Sequence, residues 1–94
     1  MTKKNTYNLK LSDELDFVVE RFKQIRNLEY YAEQLKRCGG YNDFETRLAW
    51  NCLRMTIPLS TICEWYEKYG CTDDHITTLV KKALKIARRE LKVS

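Results

Sequence analysis

The stretch FETRLAWNCLRMTIPLSTICEWYEKYG, residues 44–70, most constrains what this chain can fold into. It holds both tryptophans and the only proline of the 94-residue sequence. Pro58 cannot continue a helix, but it suits the first turn of the next one. The stretch therefore predicts a helical hairpin, with one helix near 43–55, a tight break, and a second helix near 58–69 that ends at Gly70.

Apolar residues cover most of the girth of both predicted hairpin helices. A helix of this kind is either central in a domain or part of an oligomer interface. In the first helix, the predicted buried face carries Phe44, Leu48, Cys52 and Met55. In the second helix, the predicted face carries Leu59, Ile62, Cys63 and Tyr66, flanked by Trp65 and Tyr69.

A long N-terminal helix is predicted near 13–38. Ser12 is a suitable N-cap, and acidic residues follow it at the positive end of the helix dipole. The apolar stripe of this helix steps by three and four residues. After Ile25 a three-residue step to Leu28 rotates the buried face. The members of the stripe are Leu15, Val18, Phe22, Ile25, Leu28, Ala32 and Leu35.

A basic C-terminal helix is predicted near 73–92, with Thr72 as its cap and one continuous apolar stripe. Glycine and proline are scarce, at three and one, which argues against a β-sandwich or barrel. The predicted fold class is therefore all-α: a small four-helix domain over residues 12–94. A flexible or extended basic arm is expected over residues 1–11.

Composition excludes some classes of protein and leaves others open. The sequence has no apolar run long enough to span a membrane and no apolar segment behind its first lysines, so a cytoplasmic protein is expected. Its four cysteines are expected to be thiols. A zinc site would need Cys52, Cys63, Cys71 and His75 to converge, without the two close pairs that structural zinc sites use. We expect neither metal nor cofactor.

Nothing in the sequence defines a catalytic site. His75, the only histidine, has no nucleophile or acid partner at a diagnostic spacing and is expected to be a surface or capping residue. The three glycines all fall at predicted helix ends, so no glycine-rich phosphate loop is present. We therefore expect a binding protein rather than an enzyme.

Charge and aromatic content favour an anionic partner. Residues 71–94 hold six lysines and arginines against three acids, whereas the hairpin is nearly neutral. Basic helices with surface aromatics can contact phosphates and stack on bases. The expected ligand is nucleic acid or a nucleotide. The candidate ligand-binding residues are Arg26, Tyr30, Tyr31, Lys81, Lys85, Arg88 and Arg89.

The segment PLSTICEWYEKYG, residues 58–70, resembles the recognition helix of helix-turn-helix proteins of the transposase and recombinase type. The resemblance lies in its Ser-Thr-Ile step, the aromatic that follows and its Tyr-Gly end. It implies that Ser60, Thr61, Glu64 and Lys68 face the major groove of DNA. Because Glu64 and Glu67 would repel the duplex, a buried helical hairpin is the alternative.

A third interpretation is a protein–protein inhibitor without a nucleic-acid ligand. The chain has more aromatic residues than one small core needs, and such side chains anchor interfaces. Trp50, Trp65 and Tyr69 are the candidate interface aromatics, and self-association into a homo-oligomer is expected. By analogy of type, we expect a regulator or inhibitor like those found on phages and mobile elements.

Overall fold

The computed structural model describes residues 11–39 and 44–93, and within these ranges the secondary structure is helical, with no strand. The all-α class is confirmed, with five helices described rather than four. They are α1 Leu15–Lys23, α2 Leu28–Gly39, α3 Phe44–Thr56, α4 Leu59–Tyr69 and α5 Asp73–Val93. Of the predicted basic arm, residues 1–10 lie outside the described residues, and Leu11 is buried in the core.

The single long helix predicted near 13–38 is wrong, because two helices, α1 and α2, replace it. The chain leaves α1 through hydrogen bonds of the tighter i to i+3 type, from the Gln24 and Ile25 amides. Asn27 then takes a left-handed conformation with φ of 58°. Asparagine is one of the few non-glycine residues that visit this region readily.

The break falls within the three-residue step of the apolar stripe. Ile25 and Leu28 are both buried, on either side of Asn27. Two residues three apart already share a face of a straight helix, so this step alone does not require the break. The predicted Ser12 cap is also wrong, because α1 begins at Leu15 with Glu14 in the cap position.

The two predicted central helices and the break between them are confirmed, as α3 and α4, with only Ile57 and Pro58 between them. Among the described residues, close packing of α3 against α4, which a helical hairpin requires, is not observed; α3 packs against α1, α2 and α5 instead. Gly70 ends α4 in the left-handed conformation, with φ of 62°. The buried face of α4, however, differs from the prediction. It consists of Ile62, Trp65 and Tyr69, whereas Leu59 and Cys63 are exposed.

The face of α3 is also corrected at one position. Met55 is 58% exposed, while Leu48, Ala49, Cys52 and Leu53 are buried. Helix α5 packs against α1 and α3, and α3 also contacts α2. The core between them is fully apolar among the described residues, and its largest fully buried side chains include Phe22, Leu48, Leu53, Ile76, Leu84, Val18 and Val80.

The start of α5 is a reciprocal cap, which confirms the predicted role of Thr72. Its hydroxyl accepts a hydrogen bond from the His75 amide at 3.4 Å, and its own amide donates to His75 Nδ1 at 3.0 Å. This arrangement is a capping box in which histidine replaces the usual glutamate. It orients α5 at its first turn. Within residues 11–39 and 44–93, no helix combines the length and the apolar character that a membrane crossing requires.

Candidate functional site

Positive charge lines an open groove along α5, which we call the basic groove. It has a volume of about 910 Å³. One carboxylate, that of Glu45 on α3, also lines it. Six cationic side chains from one face of α5 supply the remaining walls: Lys81, Lys82, Lys85, Arg88, Arg89 and Lys92.

Helix geometry explains why these cations share one face. Their spacings of one, three and four residues keep them on one side of a helix that turns every 3.6 residues. The buried residues Ile76, Val80 and Leu84 occupy the opposite side, against the core. From Lys81 to Lys92 the cations span about 16 Å along the axis, at 1.5 Å per residue. The groove is therefore an extended track of positive charge.

Arg88 differs from the other groove cations because it forms ion pairs with two carboxylates. Its Nε and Nη2 donate to the two carboxylate oxygens of Glu29 on α2, at 2.8 and 3.1 Å. Its Nη1 lies 3.5 Å from Glu45 on α3. The hydrogen bonds from Arg88 lower the pKa of the Glu29 carboxyl, and the same pair raises the pKa of Arg88. Arg88 thus links three helices at the edge of the groove.

The other five groove cations are not held in ion pairs of this kind, although the charge of Lys92 helps to lower the pKa of Glu29. Among the described residues, no carboxylate lies within ion-pair distance of Lys81, Lys85 or Arg89, nor of Lys82 or Lys92. The nearby Glu90 is engaged elsewhere, since its Oε1 accepts from Lys23 Nζ at 2.9 Å. Five mutually repelling cations therefore share one face, an arrangement that favours binding an anionic ligand.

The predicted ligand residues outside α5 do not join the groove. Arg26 is exposed in the segment between α1 and α2, and Tyr30 is 67% exposed on α2. Tyr31 is half-buried against the core, and burial raises the pKa of its phenol. The groove lining includes none of the three. The structure therefore brings together the predicted cations of α5 but separates them from the predicted aromatics.

The predicted DNA-reading residues lie on α4, away from the groove. Ser60, Glu64 and Lys68 are exposed and Thr61 is half-buried, so the outer face of α4 carries both signs of charge. The Lys68 ammonium lies 5.5 Å from the centre of the Tyr69 ring, within cation–π range. The helix-turn-helix assignment itself stays a prediction.

The predicted interface aromatics lie in the core or pack against it. Trp65 and Tyr69 are buried, and the Tyr69 hydroxyl donates to Glu14 at 3.0 Å. That bond, together with burial as the larger cause, raises the pKa of Tyr69. Trp50 is half-buried and packs against the same core. Trp65 and Tyr69 are therefore not exposed in this chain, and an interface role for these aromatics stays a prediction.

Groups with a shifted pKa do not gather into a reactive site. Burial raises the pKa of the Cys52 thiol to about 12 and that of Cys71 to a lesser extent. A hydrogen bond to Asp73, and burial after it, raise the pKa of Tyr66 to about 12. Among the residues that the structure describes, no group of three or more His, Cys, Asp or Glu side chains is arranged to hold a metal ion.

Three groove residues were absent from the predicted ligand set: Lys82, Lys92 and Glu45. The two lysines could have been found, because the helical period that joins Lys81, Lys85 and Arg89 places them on the same face. Glu45 comes from a different helix, and no local pattern in the sequence connects it with α5.

In comparisons with known proteins, no family model, no curated protein and no solved structure matches this chain. Functional inference accordingly depends on the chain's own residues, and on the basic groove above all.

Proposed function

We propose that this chain is a small non-catalytic protein that binds the phosphate backbone of nucleic acid through the basic groove. The observation that carries the proposal is the set of five cations on one face of α5 that have no carboxylate partner among the described residues. Lysine and arginine side chains that neutralise phosphates release condensed counterions, and this release drives binding without regard to sequence.

A polymer fits the groove better than a single nucleotide does. The cations extend over about 16 Å, along three turns of α5, instead of converging on one point. Nucleotide sites commonly use a glycine-rich loop or an aromatic stacking surface, and the described lining of the groove has neither. A row of phosphates can engage all five cations in turn.

The non-catalytic part of the proposal is supported by the shifted groups. Cys52, Tyr66 and Glu29 each owe their shifted pKa to burial or to a structural hydrogen bond. None of the three described cavities is lined by more than one of them. Functional sites usually collect such groups in one cleft.

The test measures binding of a fluorescent nucleic acid by anisotropy. The groove variant replaces Lys81, Lys85 and Arg89 with Gln, which leaves two partnerless cations, Lys82 and Lys92. Removing three phosphate contacts at about 0.1 M salt is expected to weaken binding about 500-fold, because each contact releases about 0.9 counterions.

A matched control removes the same charge from other surfaces. It replaces the exposed residues Arg37, Arg54 and Lys68 with Gln, so both variants fall from a formal charge of +4 to +1. The proposal expects the control to bind nearly as the native chain does. Equal losses in both variants would mean that net charge alone attracts the ligand and would overturn the proposal. Loss of binding in the control variant alone would favour the helix-turn-helix interpretation, because Lys68 is one of the predicted DNA-reading residues.

Self-association is a second proposal, and a specific observation favours it. Met55 is 58% exposed and Leu59 is 74% exposed, on either side of the turn between α3 and α4. Neighbouring exposed apolar side chains often mark contact sites. Measuring the molar mass by light scattering, with a Met55→Ser and Leu59→Ser variant as control, tests it. A monomeric mass for the native chain would refute it. The cytoplasmic location and the phage-type regulatory role stay predictions.

A further inference from the structure

We propose that the ligand of the basic groove is a double-stranded nucleic acid, held by its phosphates without reading of the bases. This inference rests on the proposed function and adds the class of nucleic acid to it. Three features of the groove carry it: the straight array of cations, the absence of a stacking surface from its described lining, and the capture of Arg88 by carboxylates.

The cations are carried in a nearly linear row on a rigid helix. The steps from Lys81 to Lys85, to Arg89 and to Lys92 rise about 6, 6 and 4.5 Å along α5. The buried face of α5 is packed against α1 and α3, so the helix is fixed before any ligand arrives, and only its exposed side chains lose freedom on binding. A duplex presents its phosphates in a fixed row, so neither backbone has to be ordered when the two meet.

Single-strand binders add aromatic side chains on which successive bases stack. No described aromatic residue lines the groove. The exposed aromatics lie on other helices: Tyr30 on α2, and Phe17 on α1, whose ring lies 5.3 Å from the Arg21 guanidinium. A single strand on α5 would gain phosphate contacts without stacking, which removes its usual advantage over a duplex.

The groove also lacks most of the means to read bases. Bidentate contact of arginine with guanine is the commonest specific contact in the major groove. The Nε and Nη2 donors of Arg88 already donate to Glu29, so this pair of donors is not available for a bidentate contact with guanine. Arg89 is the one other arginine of the described lining, and that lining offers no asparagine or glutamine to recognise adenine. Contacts to the phosphate backbone, which carry no sequence information, therefore dominate.

Counterion release sets the size of the expected preference. Each phosphate contact contributes about −0.9 to the slope of log K against log salt for a duplex, and about −0.7 for a single strand. At about 0.1 M salt, five contacts therefore favour the duplex about tenfold. The experiment compares a DNA duplex of roughly 20 base pairs, an RNA duplex of the same length and each separate strand, since this length exceeds the span of the groove. Further duplexes of unrelated sequence, and poly-glutamate, complete the set.

We expect a duplex, of DNA or RNA, to bind about tenfold more tightly than its separate strands. Its affinity should change little among sequences and should fall in the groove variant. Strands that bind as well as duplexes, still with loss in the groove variant, would overturn the inference while leaving the proposed function intact. A strong preference among duplex sequences would overturn the absence of base reading. If poly-glutamate were the only probe that bound in a groove-dependent way, or if no probe bound at all, both the inference and the proposed function would be overturned.

Discussion

Replacing Asn27 tests the break between α1, which packs against α5, and α2, which packs against α3. Asn27 is exposed and has φ of 58°, so its replacement changes backbone energy rather than core contacts. A left-handed conformation costs a residue with a Cβ atom about 1–2 kcal/mol, whereas glycine adopts it freely. The two informative variants are Asn27→Gly and Asn27→Ala.

The structure predicts that Asn27→Gly unfolds with a free energy within about 0.5 kcal/mol of the native chain. Asn27→Ala is expected to lose about 1 kcal/mol, because alanine has no side-chain amide to ease the left-handed conformation. A continuous helix over residues 13–38 predicts the reverse order. In the interior of a helix, alanine stabilises the helix by about 1 kcal/mol relative to glycine.

The assay is urea unfolding followed by circular dichroism. With a slope of about 2 kcal/mol per molar urea, the expected difference between the two variants is about 0.5 M in midpoint, with glycine above alanine. In thermal unfolding, the same difference corresponds to about 4–8 °C in a domain of this size. An alanine variant more stable than the glycine variant would refute the break at Asn27 and restore the single helix.

Further outcomes follow from the other contacts. Arg88→Gln is expected to cost up to about 1 kcal/mol at neutral pH, because it breaks a partly exposed bidentate pair. The pKa of Glu29 is lowered from its ordinary 4.5. The stabilisation from the Arg88–Glu29 pair is therefore present above that pH and is lost as pH falls through the folded pKa. The native chain and Arg88→Gln should therefore converge in urea midpoint in acid; a constant gap would contradict the pair. Trp65→Ala should cost about 3–5 kcal/mol while Leu59→Ala costs within about 0.5 kcal/mol, and similar losses would refute the assigned face of α4. A thiol reagent should modify two cysteines in the folded chain and the others only after unfolding, since burial raises the pKa of Cys52 to about 12. The exposed cysteines are Cys38 and Cys63, and the buried ones are Cys52 and Cys71.

Local patterns predicted much of the C-terminal half. Pro58 and Gly70 placed the ends of α4 to within a residue, because each has a backbone preference that few other residues share. Thr72 marked the start of α5, and the regular spacing of apolar residues after it predicted which face is buried. The cations of α5 that form the groove follow from the same period.

The remainder depends on contacts that no local pattern contains. The step from Ile25 to Leu28 was visible, but a continuous helix and a broken helix can have the same spacing of apolar residues. The left-handed backbone at Asn27 distinguishes them. Helix α4 has two overlapping apolar stripes, and burial of Trp65 selects between them. The partner of Arg88 is Glu29, which lies 59 residues earlier in the chain.

The salt dependence of duplex binding tests the central claim, that the basic groove binds phosphates, most directly. With five phosphate contacts, the plot of log K against log salt for the native chain is expected to have a slope of about −4.5. The groove variant, with two partnerless cations left, should fall to about −1.8, while the control lacking Arg37, Arg54 and Lys68 keeps the native slope. A groove variant with the native slope, or a native chain that binds no duplex at low salt, would contradict the claim.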